Sequence, residues 1–347
     1  MSTDKRQLVW DALNNRDTER VPVGFWFHFA SEKEFYRGLD DEAVVRKNID
    51  GHLKFYEAFK PDFVKLMSDG FFGYPNAAIA NAKSARDLAG VKPIGSDHPW
   101  IEKQVSLAKS LTAKFASEVF TFYNIFGPAT TFKFLLGNGG DGNRAFADLI
   151  AEDPKAVRRA LDVIANDLSI LAGRVIEEGG ADGIYLSVQN VQDNRVSPAQ
   201  YRSVIAPSEK SVLRAANRAG ESARAKNAKR AGAANILHIC GYEGSRNDLS
   251  LYRDYGAKAI NWAVTVEGVS LAEGKRLFGG KAVIGGFANG KGSLIHAGSR
   301  ESIEAYAAGL LSGSGRTGVI VGADCTVPSD IDLARLEWVR AASARRA

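Results

Sequence analysis

Apolar residues along this chain fall into two alternating patterns. Short runs are almost continuously apolar, and between them the apolar positions recur at helical spacing. The short runs are residues 21–29, 63–69, 119–127, 183–189, 235–240, 259–263, 283–288 and 319–326. Runs without strict in–out alternation read as parallel strands covered on both faces. Residues 41–60 place Val44, Val45, Ile49, Leu53, Phe55 and Phe59 on one helical stripe. Residues 154–178 do the same with Val157, Leu161, Ile164, Leu168, Leu171 and Val175. Asp153 is a fitting N-cap with Pro154 at the first helical position, and Gly179-Gly180 ends that helix. Turns at Ser197-Pro198 and Pro207-Ser208 open the Ala/Arg-rich helix before the fifth strand, and residues 331–344 form the last helix. Residues 70–96, rich in turn formers, are expected as a long loop after the second strand.

Eight strands alternating with helices predict a (β/α)8 TIM barrel, a single domain over residues 1–347 with an N-terminal helical extension. A doubly wound sheet is the competing architecture. It would normally carry a Gly-rich phosphate loop after the first strand, where this chain reads HFASEKEFYRG.

Composition changes little. The 347 residues are 45% hydrophobic and 24% charged, ordinary for a globular chain. The net charge is +5, and the densest basic stretch, residues 224–230, reads as the exposed face of a helix. Nucleic-acid binding is therefore not expected. No apolar stretch reaches the ~18 residues of a membrane span, and the N-terminus has no apolar leader core. A cytoplasmic protein is expected. Two cysteines exclude a disulfide framework and leave a single bridge open.

Those cysteines carry the main chemical signal. In Leu237-His238-Ile239-Cys240-Gly241, His238 and Cys240 are two apart on the fifth strand and face the same way. Cys325 lies near the end of the eighth strand, so all three fall on the face where barrel enzymes do chemistry. An imidazole and two thiolates suit zinc, and three ligands leave a position open, as in a catalytic site. The competing readings are buried free cysteines, a satisfied core histidine, or a Cys240–Cys325 bridge.

At LHICG and GADCTVPSDIDLARLEWV the chain resembles the uroporphyrinogen decarboxylase superfamily, and within it the zinc-dependent methyltransferase branch that includes the methylcobalamin:coenzyme M methyltransferases. That resemblance implies a TIM barrel, with His238, Cys240 and Cys325 as zinc ligands. It implies a zinc-bound thiol presented to a methyl group as a thiolate, chemistry that metal coordination makes available at neutral pH. Residues 126–137 and 181–201 are similar to family segments after the third and fourth strands. KLMSD resembles the segment holding the decarboxylases' substrate-orienting aspartate, which would be Asp69. The departures argue against porphyrinogen decarboxylation. Paired arginines are missing after the first strand, and Ala323-Asp324-Cys325 replaces a Gly-His-Gly.

Around this centre, His28 at the end of the first strand is a candidate proton shuttle or a hydrogen-bonded core histidine. Asp69 is a candidate base or substrate-orienting carboxylate, or a cap for the following loop. Gln189 and Asn190 are candidate substrate-binding groups, as is Tyr185 unless it fills the barrel. Trp26 and Phe72 belong to an aromatic cluster that walls a pocket or packs a lid. Glu267 is a candidate fourth ligand or a helix-entry carboxylate, and Asp324 a partner of the ligands or a cap.

The leading expectation is a zinc-dependent methyl (alkyl) transferase acting on a thiol or similar soft nucleophile. Any methylcobalamin would ride on a separate corrinoid protein, because one barrel uses up the chain. A zinc-dependent lyase, decarboxylase or hydrolase is the first alternative, and a non-catalytic small-molecule-binding barrel the second. The expected partners are a small-molecule substrate, with a corrinoid protein and a second copy of the chain as further candidates.

Overall fold

A computed structural model describes residues 4–137, 139–189 and 194–345. Eight parallel strands form one sheet: β1 (Val23–Gly24), β2 (Phe63–Leu66), β3 (Phe120–Phe126), β4 (Gly183–Gln189), β5 (Ile236–Cys240), β6 (Ala259–Trp262), β7 (Ala282–Phe287) and β8 (Val319–Ala323). Each pairs with its sequence neighbour from β2 to β8, and β8 pairs with β1. This is a (β/α)8 barrel, as the alternation predicts. The helices at Glu42–Phe59, Pro99–Phe115, Pro154–Glu177, Ala206–Lys226, Leu271–Leu277, Arg300–Ser314 and Leu333–Ala344 cover its outside. Among the described residues, only short 3-10 turns link β5 to β6.

The two strand faces build two cores. Outward side chains such as Val64, Leu66, Leu237 and Ile239 pack under the helices. Inward side chains, among them Phe63, Phe122, Tyr185, Ile236 and Ile320, fill the barrel. Val9, Ala12 and Leu13 of the helix Lys5–Leu13 join this inner cluster, so the N-terminal helix plugs the barrel.

No ladder joins β1 to β2, and two buried aspartates stitch this seam instead. Asp62, just before β2, accepts the backbone N–H of Val23 (2.8 Å) and pairs with Arg20 through both oxygens. Asp69, beyond β2, accepts the N–H groups of Phe29 (2.6 Å) and Ala30 (3.1 Å). Ionised carboxylates are strong acceptors for backbone amides. The β1 backbone also lies close to its neighbour, since a Cβ on Gly24 would sit 2.0 Å from the Phe63 ring.

Three local expectations are corrected. The chain does not turn at Pro207-Ser208: a π-helical turn at Tyr201–Ile205 runs directly into Ala206–Lys226, with Pro207 in the first turn of that helix. The loop at residues 70–96 holds a short helix at Ala77–Ala80 and a 3-10 turn at Ala85–Gly90. The basic stretch is not one helical face, because the helix ends at Lys226 and Arg230 donates to the Ala181 carbonyl.

Beside that π-turn lies a buried carboxyl. Glu209 accepts from the hydroxyls of Tyr201 (3.0 Å) and Tyr255, and burial pushes its pKa up from 4.5 to about 7. The folded state therefore binds a proton that the unfolded chain releases between pH 4.5 and 7. Its stability contribution is full below pH 4.5 and is lost as pH rises through 7. Glu209→Gln is expected to leave stability unchanged near pH 4.5. At pH 8 it should raise stability by roughly 3 kcal/mol, read by urea unfolding at both values.

Candidate metal centre

Strand alternation puts Ile236, His238 and Cys240 on the inner face of β5 and Ile239 outside. His238 and Cys240 are both buried. Cys325 lies two residues beyond β8, where the Asp324 N–H donates to the Phe287 carbonyl (2.7 Å) and prolongs the strand direction. The result is one cluster: the ligand atoms of His238, Cys240 and Cys325 lie within 4.8 Å of one another. Both thiols are free.

Two of the three donor separations suit a tetrahedral ion. Zinc–sulfur bonds of about 2.3 Å and zinc–nitrogen bonds of about 2.0–2.1 Å separate two sulfurs by about 3.8 Å, and sulfur from nitrogen by about 3.6 Å. Cys240 Sγ and Cys325 Sγ are 3.7 Å apart, and Cys325 Sγ is 3.5 Å from His238 Nε2.

Asn261 on β6 prepares the imidazole. Its Nδ2 donates to the carbonyls of Ile284 (2.9 Å) and Ala323 (3.4 Å), which turns its Oδ1 toward His238 Nδ1. Nδ1 must therefore carry the proton, and Nε2 presents its lone pair to the sulfurs. Register explains the contact, because His238 and Asn261 are paired residues of adjacent strands. Asn261→Ala is expected to weaken zinc binding about 10- to 100-fold, measured by chelator competition.

The cysteines are electrostatically distinct. A hydrogen bond from Cys240 and the neighbouring His238 hold the Cys325 thiol well below the ordinary range. Donation to Cys325, followed by burial, pushes Cys240 up.

The cluster opens into a cavity of about 430 Å³, within the range of small-molecule sites. Phe72, Phe126 and Phe134 form one wall, their rings in edge and stacked contacts 4.7–6.4 Å apart, and Phe35 extends it. Tyr36 and Tyr242 stand at the exposed rim. Asn124 and Ser187 also line it, with the Ser187 hydroxyl donating to Asn124 Oδ1 (2.8 Å) and Asn124 Nδ2 to Ser68 (3.0 Å). Among the described residues, the only Asp, Glu, Lys or Arg side chains in the lining are Glu32 and Lys65.

His28 lines the same cavity with its side chain 32% exposed, while Asp69 is fully buried. Asp69 Oδ1 accepts from His28 Nδ1 (2.8 Å), and Oδ2 takes the two backbone amides of the seam. Asp69 does not line the cavity. It holds His28 in the tautomer whose Nε2 accepts protons, and among the described residues Nε2 has no other partner.

Other candidates sort by placement. Phe72 and Gln189 line the cavity. Trp26 and Tyr185 do not, because inward strand positions below the mouth are consumed by barrel filling. Their rings, 5.3 Å apart, pack beneath His238 instead. Asn190 lies outside the described residues. Glu267 does not join the cluster, since its carboxylate accepts the backbone and side-chain N–H groups of Asn247. Asp324 caps the turn after β6 through Thr265 (2.6 and 2.9 Å), and burial raises its pKa to about 6. His52, His98 and His296 serve local structure. His52 accepts the Met67 N–H, His98 caps the helix Pro99–Phe115, and His296 sits beside Asp330.

Sequence reasoning passed over Lys65. It is 5% exposed on β2, and burial lowers its pKa to about 8 against the pull of Cys325, Cys240 and Asp69. The signal was present: a charged residue at the inward parity of Phe63 and Met67 in an otherwise apolar strand.

Two thiols and an imidazole converge at the mouth of an eight-stranded parallel barrel, a group that could hold a metal ion beside a small-molecule cavity. The family follows from sequence: the profile of uroporphyrinogen decarboxylase (URO-D) matches residues 74–345, and the chain belongs to that family. No curated protein sequence matches it. Among solved structures, a methyltransferase from Methanosarcina mazei is similar over 99% of this chain and 98% of its own, with a TM-score of 0.67 and 17% identity. A B12-independent methionine synthase from Shewanella sp. W3-18-1, solved with selenomethionine, aligns over 94% and 97% with a TM-score of 0.49 and 14% identity. No helix among the described residues is long and apolar enough to cross a membrane.

Proposed function

We propose that this chain is a zinc-dependent methyl (alkyl) transferase that activates a thiol or similar soft nucleophile. The observation that carries the reading is the His238, Cys240 and Cys325 cluster, in which the two donor separations to Cys325 match a tetrahedral zinc, with one position open to the cavity. A bound zinc would supply a Lewis acid that keeps a coordinated thiol deprotonated at neutral pH.

The protein's own groups do the rest. His28 Nε2 takes the thiol proton, and Asp69 holds the ring for that transfer. The sulfur's electron pair forms the new S–C bond, and the pair of the breaking bond to carbon leaves with the departing group. The aromatic wall keeps water from the carbon centre. The donor is a small molecule or a methyl-corrinoid carried on a separate protein.

The lining supports transfer over porphyrinogen decarboxylation. Among the described residues it contains no arginine and a single lysine, too little positive charge for a substrate with many carboxylates. Product analysis with a methyl-labelled donor is the test. One thiol should disappear for each labelled thioether formed. Turnover without thiol consumption would instead favour a lyase or hydrolase using the metal as a Lewis acid.

A further inference from the structure

Lys65 poses a problem that the proposed function leaves unsolved. Its ammonium group is buried on the inner face of β2 and lines the cavity, yet among the described residues it makes no ion pair or hydrogen bond. It lies over two rings, 4.3 Å from the centre of Tyr185 and 5.2 Å from that of Trp26. Such faces attract a cation but do not replace its hydration. A buried charge left without a partner is costly, so a partner that arrives later is the economical explanation.

The same two rings also carry His238, whose ring centre is 5.9 Å from Tyr185 and 6.4 Å from Trp26. Lys65 and the cluster therefore share one floor. A divalent ion held by a neutral imidazole and two thiolates is electrically neutral. A third thiolate in the open position makes the complex a monoanion inside a poorly hydrated cavity. That added charge needs a cation, and among the described residues Lys65 is the only lysine or arginine that lines the cavity.

We propose that Lys65 is the counter-charge for the incoming thiolate, and thereby makes the open position selective for anionic sulfur over neutral ligands. This rests on the thiol-activation reading above. It assigns Lys65 to the substrate and not to the resident ligands, so its loss should spare the metal.

The test uses the full chain with cobalt(II) in place of zinc, titrated with 2-mercaptoethanol, which brings no charge besides its thiolate. Imidazole serves as a neutral comparison ligand. Sulfur-to-cobalt charge-transfer absorption reports thiolate binding without any turnover. Wild type, Lys65→Met and Lys65→Arg should each hold one cobalt and bind imidazole alike. Lys65→Met should bind the thiolate about 10- to 100-fold more weakly, and Lys65→Arg should recover most of that loss. Equal thiolate affinity in wild type and Lys65→Met would overturn the proposal, as would loss of cobalt from Lys65→Met. An equal weakening of imidazole binding, or an Arg variant as weak as the Met variant, would overturn it too. If the wild type shows no new sulfur band while binding cobalt, thiol activation itself fails, and the role of Lys65 fails with it.

Discussion

Cys240→Ser and Cys325→Ser are each expected to purify with little zinc, against about one zinc per chain in the wild type. Activity should fall by about three orders of magnitude or more, the worth of several kcal/mol of metal stabilisation. A serine hydroxyl is far less acidic than a thiol and a poorer match for a borderline-soft ion. The effect should exceed that of a merely buried cysteine, because each sulfur is one of the three donors that the described residues bring together. Elemental analysis with circular dichroism separates the two cases. Replacing a buried free cysteine would change stability and leave metal content untouched.

The second large effect should come from His28. His28→Ala removes the proton acceptor facing the cavity, and kcat/KM should fall by roughly 10²- to 10⁴-fold while zinc content stays the same. Asp69→Asn should lower activity in the same direction, because an amide no longer fixes the ring tautomer through Nδ1. It also weakens the seam, where Asp69 accepts two backbone amides, so its thermal stability should drop while that of His28→Ala should not. Thermal unfolding measured beside steady-state kinetics is the discriminating comparison, since only Asp69→Asn should lose both activity and stability.

Much of this was legible in the sequence because the period of the apolar pattern differs so clearly between strands and helices. All eight strands fall inside the runs read from residues, save for Ala282 at the start of β7. His238 and Cys240 were legible for the same reason, as two residues of one strand separated by one.

What was not legible depended on a neighbouring strand. The Asp69–His28 contact spans a seam with no ladder, and sequence spacing says nothing about which loop amides a carboxylate will meet. Asn261 needed the β5–β6 register, which places it opposite His238. Trp26 and Tyr185 had the right parity for the cavity but the wrong height. Depth along a barrel strand decides whether an inward side chain faces ligand or fills the core, and alternation does not encode depth. Lys65 shares that parity, and its length carries its charge to the cavity.

The central claim is that these three side chains hold a zinc ion whose remaining position takes sulfur. X-ray absorption at the zinc edge tests it most directly. The purified protein should show two sulfurs at about 2.3 Å and nitrogen or oxygen neighbours at about 2.0–2.1 Å. Adding the thiol acceptor should raise the sulfur count to three. A zinc shell made only of nitrogen and oxygen, or a sulfur count unmoved by saturating thiol, would contradict it.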